Sequence, residues 1–245
     1  MGRMTETVKH LLIINVIMFF ATQLYGDQMY QWMSLWFPEN PNFEWWQTIS
    51  HMFMHGSFMH ILFNMYALWA FGPLLERMWG RNKFLFFYFS AGVGAFLLHI
   101  GVSYIPFNEG ISALEGAGFA KTQILDTLAN GQYNTGWYTV APKNVIDKMI
   151  MVYNTPMLGA SGAIYGVLVA FAFMFPNAEL MLLFLPVPIK AKYFVPGWIL
   201  LYDVIYGFAN PNDNVAHFAH IGGALIGFIM MSYWKKNQFN NKRWD

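Results

Sequence analysis

The sequence predicts an all-α membrane protein built from six transmembrane helices. Apolar residues make up 56% of the 245 residues and charged residues 11%, against roughly 25% charged residues in an ordinary soluble domain. Six apolar segments approach the ~20 residues that a helix needs to cross a ~30 Å hydrocarbon core. They lie near 8–25, 57–75, 84–104, 157–175, 193–209 and 214–234. No internal repeat is evident, which favours a single membrane domain over residues 1–245.

The basic residues predict an orientation with both termini in the cytoplasm. In that orientation eleven Lys and Arg residues fall on the inner side and three on the outer side, which is the positive-inside pattern. The inner set is Arg3, Lys9, Arg77, Arg81, Lys83, Lys190, Lys192, Lys235, Lys236, Lys242 and Arg243, and the outer set is Lys121, Lys143 and Lys148. No small-residue cleavage site follows the first apolar run, so we expect a retained first helix and not a signal peptide.

Two long connections fall on the outer side. Residues 26–56 carry several Trp and Phe residues and almost no basic charge, which is typical of a segment lying among lipid headgroups. Residues 105–155 form a polar insertion, in which the stretch 121–130 is predicted to be a short helix.

The composition also narrows the function classes. The absence of cysteine excludes disulfides, thiol catalysis and thiolate metal sites. A net charge of +1 provides no bulk electrostatic basis for binding nucleic acid. The lipid bilayer is the expected partner, no cofactor or metal is expected, and the oligomeric state stays open.

Few polar side chains fall inside or next to the spans, where they are costly and usually face the bundle interior or a water-filled cavity. They are His51, His55, His60, Asn64, Ser161, Asp203 and His220. Helical rise places Ser161 and His220 ~22 and ~21 Å from the inner ends of their helices. The same count places Asn64 and His60 at ~18 and ~24 Å. Four polar side chains on three helices are therefore predicted to share one level, roughly 10 Å below the outer surface of the core.

A buried hydroxyl level with a buried imidazole supports nucleophilic acyl transfer. Ser161 is the candidate nucleophile, and His220 is the candidate general base that takes its proton. The candidate oxyanion donors are the Ser161 backbone N–H, the Asn64 amide and the His60 ring.

We expect a catalytic dyad, because no acidic residue is evidently placed to orient His220. Asp203 lies near the inside of the fifth span, at a depth that is unclear from the sequence. A buried hydrogen-bonded carboxylate and a neutral acid are both open for it, and it is given no catalytic role. Tyr165, one turn after the serine, is the candidate for holding the imidazole by stacking. His217 is expected to face the outer loop.

Glycines flank the serine in the stretch Gly159-Ala160-Ser161-Gly162. Read alone, this stretch also fits a helix-packing motif, because small residues let membrane helices approach closely. Gly162 and Gly166 are expected to hold the fourth span against the glycine-rich sixth span.

His51 and His55 are spaced i,i+4 and are interpreted as hydrogen-bonded structural residues. A metal pair is the alternative, but no His-Glu-x-x-His pattern and no nearby carboxylate supports zinc hydrolysis.

Together these motifs resemble those of the rhomboid intramembrane serine proteases. Gly159-x-Ser161-Gly162 resembles the family's nucleophile motif, and Ala219-His220-x-x-Gly223-x-x-x-Gly227 resembles its span-six motif. His60-x-x-x-Asn64 resembles the oxyanion pair of span two. The stretch Phe71-Gly72-x-x-Leu75-Glu76-Arg77-x-x-Gly80 resembles the inner end of that span.

The resemblance implies the six-helix bacterial rhomboid core, located in a bacterial inner membrane. It implies cleavage of single-pass transmembrane protein substrates, within or near the membrane, by a Ser161–His220 dyad through an acyl-enzyme. Tyr165, Gly159 and Gly162 would have supporting roles. The insertion departs from the simplest bacterial members, and the gating residues of span five stay open, with Phe194 and Trp198 as candidates.

Two other functions fit parts of the pattern. One is a catalytically silent rhomboid-fold protein that binds membrane clients, although Ser161 and His220 are both present. The other is a small transporter with a polar midplane site, against which the absence of inverted repeats argues.

Overall fold

The structure, a computed structural model, describes residues 4–182, 185–209 and 216–237. The helical elements before the insertion are α1 (Glu6–Tyr25), α2 (Asp27–Met33), α3 (Gln47–Ser50), a 3-10 turn (His51–Phe53), α4 (Phe58–Trp79) and α5 (Arg81–Gly116). The insertion contains α6 (Lys121–Ala129), α7 (Trp137–Val140) and α8 (Lys143–Asn154). The remaining elements are α9 (Ser161–Met174), β1 (Glu179–Leu182), β2 (Leu185–Lys190), α10 (Ala191–Trp198), a π-helix (Ile199–Tyr206), α11 (Gly207–Ala209) and α12 (His217–Asn237).

Among the described residues, three helices are long and apolar enough to cross a membrane, namely α1, α4 and α5. Helix α9 is apolar but shorter, with 14 residues. The segment from α10 to α11 occupies the predicted fifth span, and α12 occupies most of the sixth. The chain is thus an assembly of several apolar helices, as an integral membrane protein requires. The count of six spans and the cytoplasmic termini stay predictions, and Arg3, Lys242 and Arg243 lie outside the described residues.

Helix α5 extends well beyond the predicted span 84–104. It has 36 residues, which corresponds to roughly 54 Å. Its last third continues as a helix because Phe107, Ile111 and Leu114 recur at i, i+4 and i+7, a spacing that places them on one face. All three side chains are buried, so this end of the helix is a scaffold for the insertion.

The insertion packs around a hydrophobic cluster of its own. The short helix predicted at 121–130 is present as α6. The buried members of the cluster are Phe37, Phe107, Ile111, Leu114, Ile124, Leu128, Trp137, Ala141, Ile146, Met149 and Tyr153. The segment predicted as a polar insertion is therefore a folded layer on α5 with its own apolar interior.

Helices α5, α9 and α12 meet through glycines at the centre of the bundle. A Cβ added at Gly227 of α12 would lie 2.8 Å from the Gly166 Cα of α9. A Cβ added at Gly162 would lie 3.5 Å from the Ala219 carbonyl oxygen and would overlap Ala95 of α5. The backbones thus approach as closely as only glycine permits, which agrees with the predicted packing of the fourth span against the sixth.

The end of α4 is tied to the start of α1 by one carboxylate. Glu76 Oε1 accepts a hydrogen bond from the Thr7 backbone N–H at 3.1 Å, and Oε2 accepts one from Val8 at 3.1 Å. These amides belong to the first turn of α1, where backbone N–H groups lack partners within the helix. Glu76 therefore caps a helix that is distant in sequence.

Candidate active site at the start of helix α9

Ser161 is the first residue of α9, and the loop before it is anchored at two points. Leu35 and Met157 exchange backbone hydrogen bonds of 2.9 and 2.8 Å, and the Gly159 N–H donates to the His51 carbonyl at 2.9 Å. Gly159 has a φ of +122°, a conformation that residues with a Cβ rarely adopt. The backbone thus turns sharply just before the serine, and this turn positions the Ser161 side chain.

The structure brings Ser161 and His220 together. His220 Nε2 lies 2.9 Å from Ser161 Oγ, although the two residues are 59 positions apart in the sequence. The position at the start of α9 also brings the first-turn amides of that helix close to the hydroxyl. Unpaired amides and the helix dipole both favour negative charge at that point. The serine hydroxyl is therefore beside a possible proton acceptor and at the positive end of a helix.

The expectation that no acidic residue lies next to His220 is wrong. Asp203 Oδ1 lies 2.7 Å from His220 Nδ1. The Asp203 residue is 1% exposed, so this contact is shielded from water. Both ring nitrogens of His220 are thus engaged, one by the carboxylate and the other by the serine.

His217 also belongs to this cluster, contrary to the expectation that it faces the outer loop. Its Nδ1 lies 3.1 Å from the same Oδ1 atom of Asp203, and the residue is 7% exposed. His217 precedes His220 by three residues, so the first turn of α12 directs both imidazoles toward one carboxylate oxygen.

The sequence contained a signal for Asp203 that the depth count did not use. Asp203 is twelve residues after Ala191, the first residue of α10, which corresponds to ~18 Å of helical rise. That is close to the level of Ser161 and His220. The direction in which the Asp203 side chain points around its helix could not be predicted from a count of residues. Asp203 lies within the π-helix Ile199–Tyr206, whose turn is wider than that of an α-helix.

Tyr165 lies against the other side of the imidazole. Its ring is stacked on that of His220 with centroids 4.2 Å apart and an angle of 12° between the planes. The Trp198 indole N–H donates to the Tyr165 hydroxyl at 3.1 Å, and the Phe194 ring stacks on Trp198 with centroids 6.2 Å apart. The two gating candidates of span five are therefore linked to the base through Tyr165.

His60 lies against Gly159, two residues before the serine, whereas the Asn64 amide is directed into its own helix. A Cβ added at Gly159 would lie 2.8 Å from His60 Nε2 and 3.6 Å from Ser161 Oγ. Asn64 is buried, and its Nδ2 donates to the His60 carbonyl at 3.0 Å. Of the two predicted side-chain oxyanion donors, His60 borders the turn at Gly159 that precedes the serine. Asn64 is one turn further along α4, with one amide N–H already used.

A small cavity adjoins the serine. It is lined by residues that include His51, Met157, Ser161 and Ala219. The volume open to the centre of a water molecule is about 10 Å³, which is enough for about one water.

His51 and His55 are buried in the segment between α2 and α4. Burial lowers the pKa of His51 to about 4 and the pKa of His55 to about 3. His51 Nδ1–H donates to the Gln47 carbonyl at 2.7 Å, and the His55 ring packs edge-on against His60 with centroids 4.9 Å apart. The hydrogen bond expected of a structural residue is thus present for His51, whereas neither ring nitrogen of the buried His55 has a hydrogen-bond partner among the described residues.

Asp203, His217 and His220 are also the described residues that could hold a metal ion, since their ligand atoms lie within 4.8 Å of one another. In the structure the same atoms contact each other at hydrogen-bond distances.

Comparison with known proteins identifies the family. The Rhomboid domain model matches residues 42–236. Rhomboid protein 1, mitochondrial, of Saccharomyces cerevisiae is 30% identical over 192 residues, which cover 77% of this chain and 41% of that protein. "Putative rhomboid protease YdcA" of Bacillus subtilis is 27% identical over 191 residues, which cover 77% of this chain and 67% of that protein. A mitochondrial rhomboid protein of Schizosaccharomyces pombe is 27% identical over 221 residues, which cover 78% of this chain and 52% of that protein.

The aligned regions span between 41% and 67% of the length of these relatives. The domain match contains α3 to α11 and α12 up to residue 236, and with them every residue of the candidate site. Because the match covers most of the chain, this protein is a member of the rhomboid family.

Proposed function

We propose that this protein is an intramembrane serine endopeptidase that cleaves single-pass transmembrane proteins. The observation that carries the proposal is the 2.9 Å contact between Ser161 Oγ and His220 Nε2. A serine hydroxyl becomes an effective nucleophile when an adjacent base removes its proton. Membership of the rhomboid family and the name of the Bacillus subtilis relative, which includes the word protease, support the same reaction.

The first half of the reaction acylates the serine. Ser161 Oγ forms a bond to the carbonyl carbon of the substrate while its proton passes to His220 Nε2. The carbonyl oxygen becomes an oxyanion, for which the Ser161 backbone N–H, the His60 ring and the Asn64 amide are the proposed donors. The C–N bond then breaks, and the imidazolium of His220 gives its proton to the leaving amide nitrogen.

The second half regenerates the serine. A water molecule attacks the acyl carbon while His220 takes one of its protons, and the tetrahedral intermediate expels Ser161 Oγ, which recovers that proton from His220. The cavity beside Ser161 has room for about one water, so a hydrolytic water fits next to the acyl group. These steps use the side chains of the chain itself and need no cofactor.

The proposed substrates are transmembrane segments that unwind easily near the membrane boundary. A peptide bond in a continuous helix has its carbonyl hydrogen-bonded and surrounded by side chains. Segments with Gly, Pro or β-branched residues form helix less readily and would present the bond to Ser161 at lower cost. The membrane proposed from the family resemblance is the bacterial inner membrane, while two of the three relatives compared are named as mitochondrial.

The direct test uses the protein purified in detergent and a fluorescent single-span substrate. Wild-type protein should cleave it, and Ser161→Ala and His220→Ala should each lower kcat by a factor on the order of 10⁴ to 10⁶. Ser103→Ala, at a buried serine of α5, is the matched control and should retain activity.

Equal cleavage by wild type and Ser161→Ala would contradict the mechanism. If the protein binds a transmembrane client but neither cleaves it nor forms an acyl-enzyme at Ser161, the catalytically silent client-binding function is favoured instead.

A further inference from the structure

We propose that Asp203 is a positioning residue that completes a Ser161–His220–Asp203 triad in this chain. The inference rests on the proposed function and deepens it, because it assigns a third group to the same site. The three side chains form a continuous series of contacts, 2.9 Å from Ser161 Oγ to His220 Nε2 and 2.7 Å from His220 Nδ1 to Asp203 Oδ1.

The hydrogen-bond pattern assigns the carboxylate as an acceptor. Both His220 Nδ1 and His217 Nδ1 converge on Asp203 Oδ1, at 2.7 and 3.1 Å. One carboxylate oxygen can accept two N–H groups through its two lone pairs, whereas a protonated oxygen has a single proton to give. Oδ1 is therefore the unprotonated oxygen of Asp203 and receives a hydrogen bond from each imidazole.

This assignment fixes the tautomer of His220. If Nδ1 carries the proton that it donates to Asp203, the neutral ring has its lone pair on Nε2. Nε2 is the atom that faces Ser161 Oγ. The carboxylate therefore selects the form of the imidazole that can accept the serine proton, a form that stacking on Tyr165 alone does not select.

The same contact stabilises the charge that forms during the reaction. When Ser161 Oγ transfers its proton to His220 Nε2, the ring becomes an imidazolium whose Nδ1–H donates to Asp203 Oδ1. Asp203 neither gains nor loses a proton in this step. Because Asp203 is 1% exposed, little water screens the attraction.

His217 has a supporting part in the cluster. A buried carboxyl oxygen needs hydrogen-bond partners, and His217 supplies a second donor to the oxygen that orients the imidazole of His220. The π-helix also contributes, because it determines the direction of Asp203 within its span. Segments of π-helix occur frequently at functional sites.

The test compares Asp203→Asn with wild type in kcat, KM and thermal stability. The amide keeps the shape of the carboxylate but can donate to Nδ1, which leaves the proton of the neutral ring on Nε2. We expect kcat to fall by a factor on the order of 10⁴ with KM and Tm nearly unchanged. Asp147→Asn, at a half-buried aspartate of the insertion that pairs with Lys143, is the matched control and should keep wild-type kcat.

A second measurement reports on the tautomer without depending on proteolysis. In wild-type protein carrying ¹⁵N-histidine, the resonances of His220 should show a proton on Nδ1, and in Asp203→Asn they should show it on Nε2. A wild-type ring with its proton on Nε2 would overturn the proposal, even if the Asn variant failed to fold.

The outcomes separate this inference from the proposed function. If wild type cleaves substrate and Asp203→Asn keeps kcat within about tenfold, the triad is wrong and the peptidase function stands. Loss of wild-type cleavage on addition of EDTA would also overturn the triad, because the cluster would then hold a metal ion. If wild type does not cleave while His220 shows the predicted tautomer, it is the proposed function that fails.

Discussion

The Tyr165 ring lies parallel to the His220 imidazole, with centroids 4.2 Å apart and an angle of 12° between the planes. Asp203 Oδ1 contacts Nδ1 of the same imidazole at 2.7 Å. The imidazole is thus restrained in two directions, across its face by an aromatic ring and within its plane by a carboxyl group.

The first prediction concerns that stacked pair. Tyr165→Phe keeps the ring and removes the hydroxyl, which accepts from Trp198 and also interacts with Asp203, so we expect a smaller loss of kcat than in a variant without the ring. Tyr165→Leu removes the stacking, which is worth about 0.5–1.5 kcal/mol, and should lower kcat by about 2- to 13-fold. Steady-state cleavage of one fluorescent substrate by the two variants measures the difference. Equal loss in both variants would show that the hydroxyl, and not the ring, holds the base.

The second prediction concerns the contact between α9 and α12. A Cβ at Gly227 would lie 2.8 Å from the Gly166 Cα and 3.0 Å from its carbonyl oxygen. Because backbone atoms cannot rotate away, Gly227→Ala should push the helices apart and cost about 1–3 kcal/mol of stability. A displacement of ~1 Å at the site should also lower kcat by about 10²-fold.

The matched control for this prediction is Gly101→Ala, because a Cβ at Gly101 of α5 would meet no atom within 4 Å. Its stability and activity should equal or exceed those of wild type, since alanine favours helix. Thermal unfolding in detergent and cleavage kinetics are measured on both variants. A Gly227→Ala variant as stable and active as Gly101→Ala would contradict the close approach.

The third prediction concerns Glu76, which accepts hydrogen bonds from the backbone of Thr7 and Val8 at 3.1 Å each. Glu76→Ala removes both acceptors and should lower the free energy of unfolding by about 1–3 kcal/mol. Glu115→Ala, at an exposed glutamate near the end of α5, is the control and should change it by less than about 0.5 kcal/mol. Equal melting temperatures of the two variants would show that the cap of α1 contributes nothing.

The fourth prediction concerns pH and His51, whose pKa is lowered by burial from 6.5 to about 4. Between these two pH values the unfolded chain binds a proton at this residue and the folded protein does not. Stability therefore falls as pH decreases from 6.5 to about 4, with a slope of about 1.4 kcal/mol per pH unit. Above pH 6.5 His51 is unprotonated in both the folded and the unfolded state, and its contribution to the free energy of unfolding is constant.

The measurement is the melting temperature of wild type and His51→Gln in detergent between pH 4 and pH 7, the range that contains both pKa values. The Gln side chain can still donate to the Gln47 carbonyl but does not titrate. Its melting temperature should therefore decline less steeply toward low pH than that of wild type. Parallel curves would show that His51 is already protonated in the folded protein or is not buried.

Much of the fold could be predicted because its signals are local. The apolar segments near 8–25 and 57–75 correspond to α1 and α4, since length and composition alone decide whether a helix can span a bilayer. The end of α5 was harder to predict from the sequence. Residues 105–116 mix apolar residues with Pro, Asn and Glu, and the insertion packed against Phe107, Ile111 and Leu114 accounts for the continuation of the helix to Gly116.

By itself the sequence determined that Ser161 and His220 lie at one depth, because the rise per residue of a helix is regular and can be counted from its end. Only the tertiary structure decided which side chains meet at that depth. Asp203 was visible as an isolated acid in an apolar span, yet its direction depends on the π-helix, and His217 joins it through the angle at which α12 packs. Depth along a helix is a local property, whereas lateral contacts depend on how three separate helices pack together. The candidate dyad could therefore be derived from spacing, but the carboxylate behind it could not.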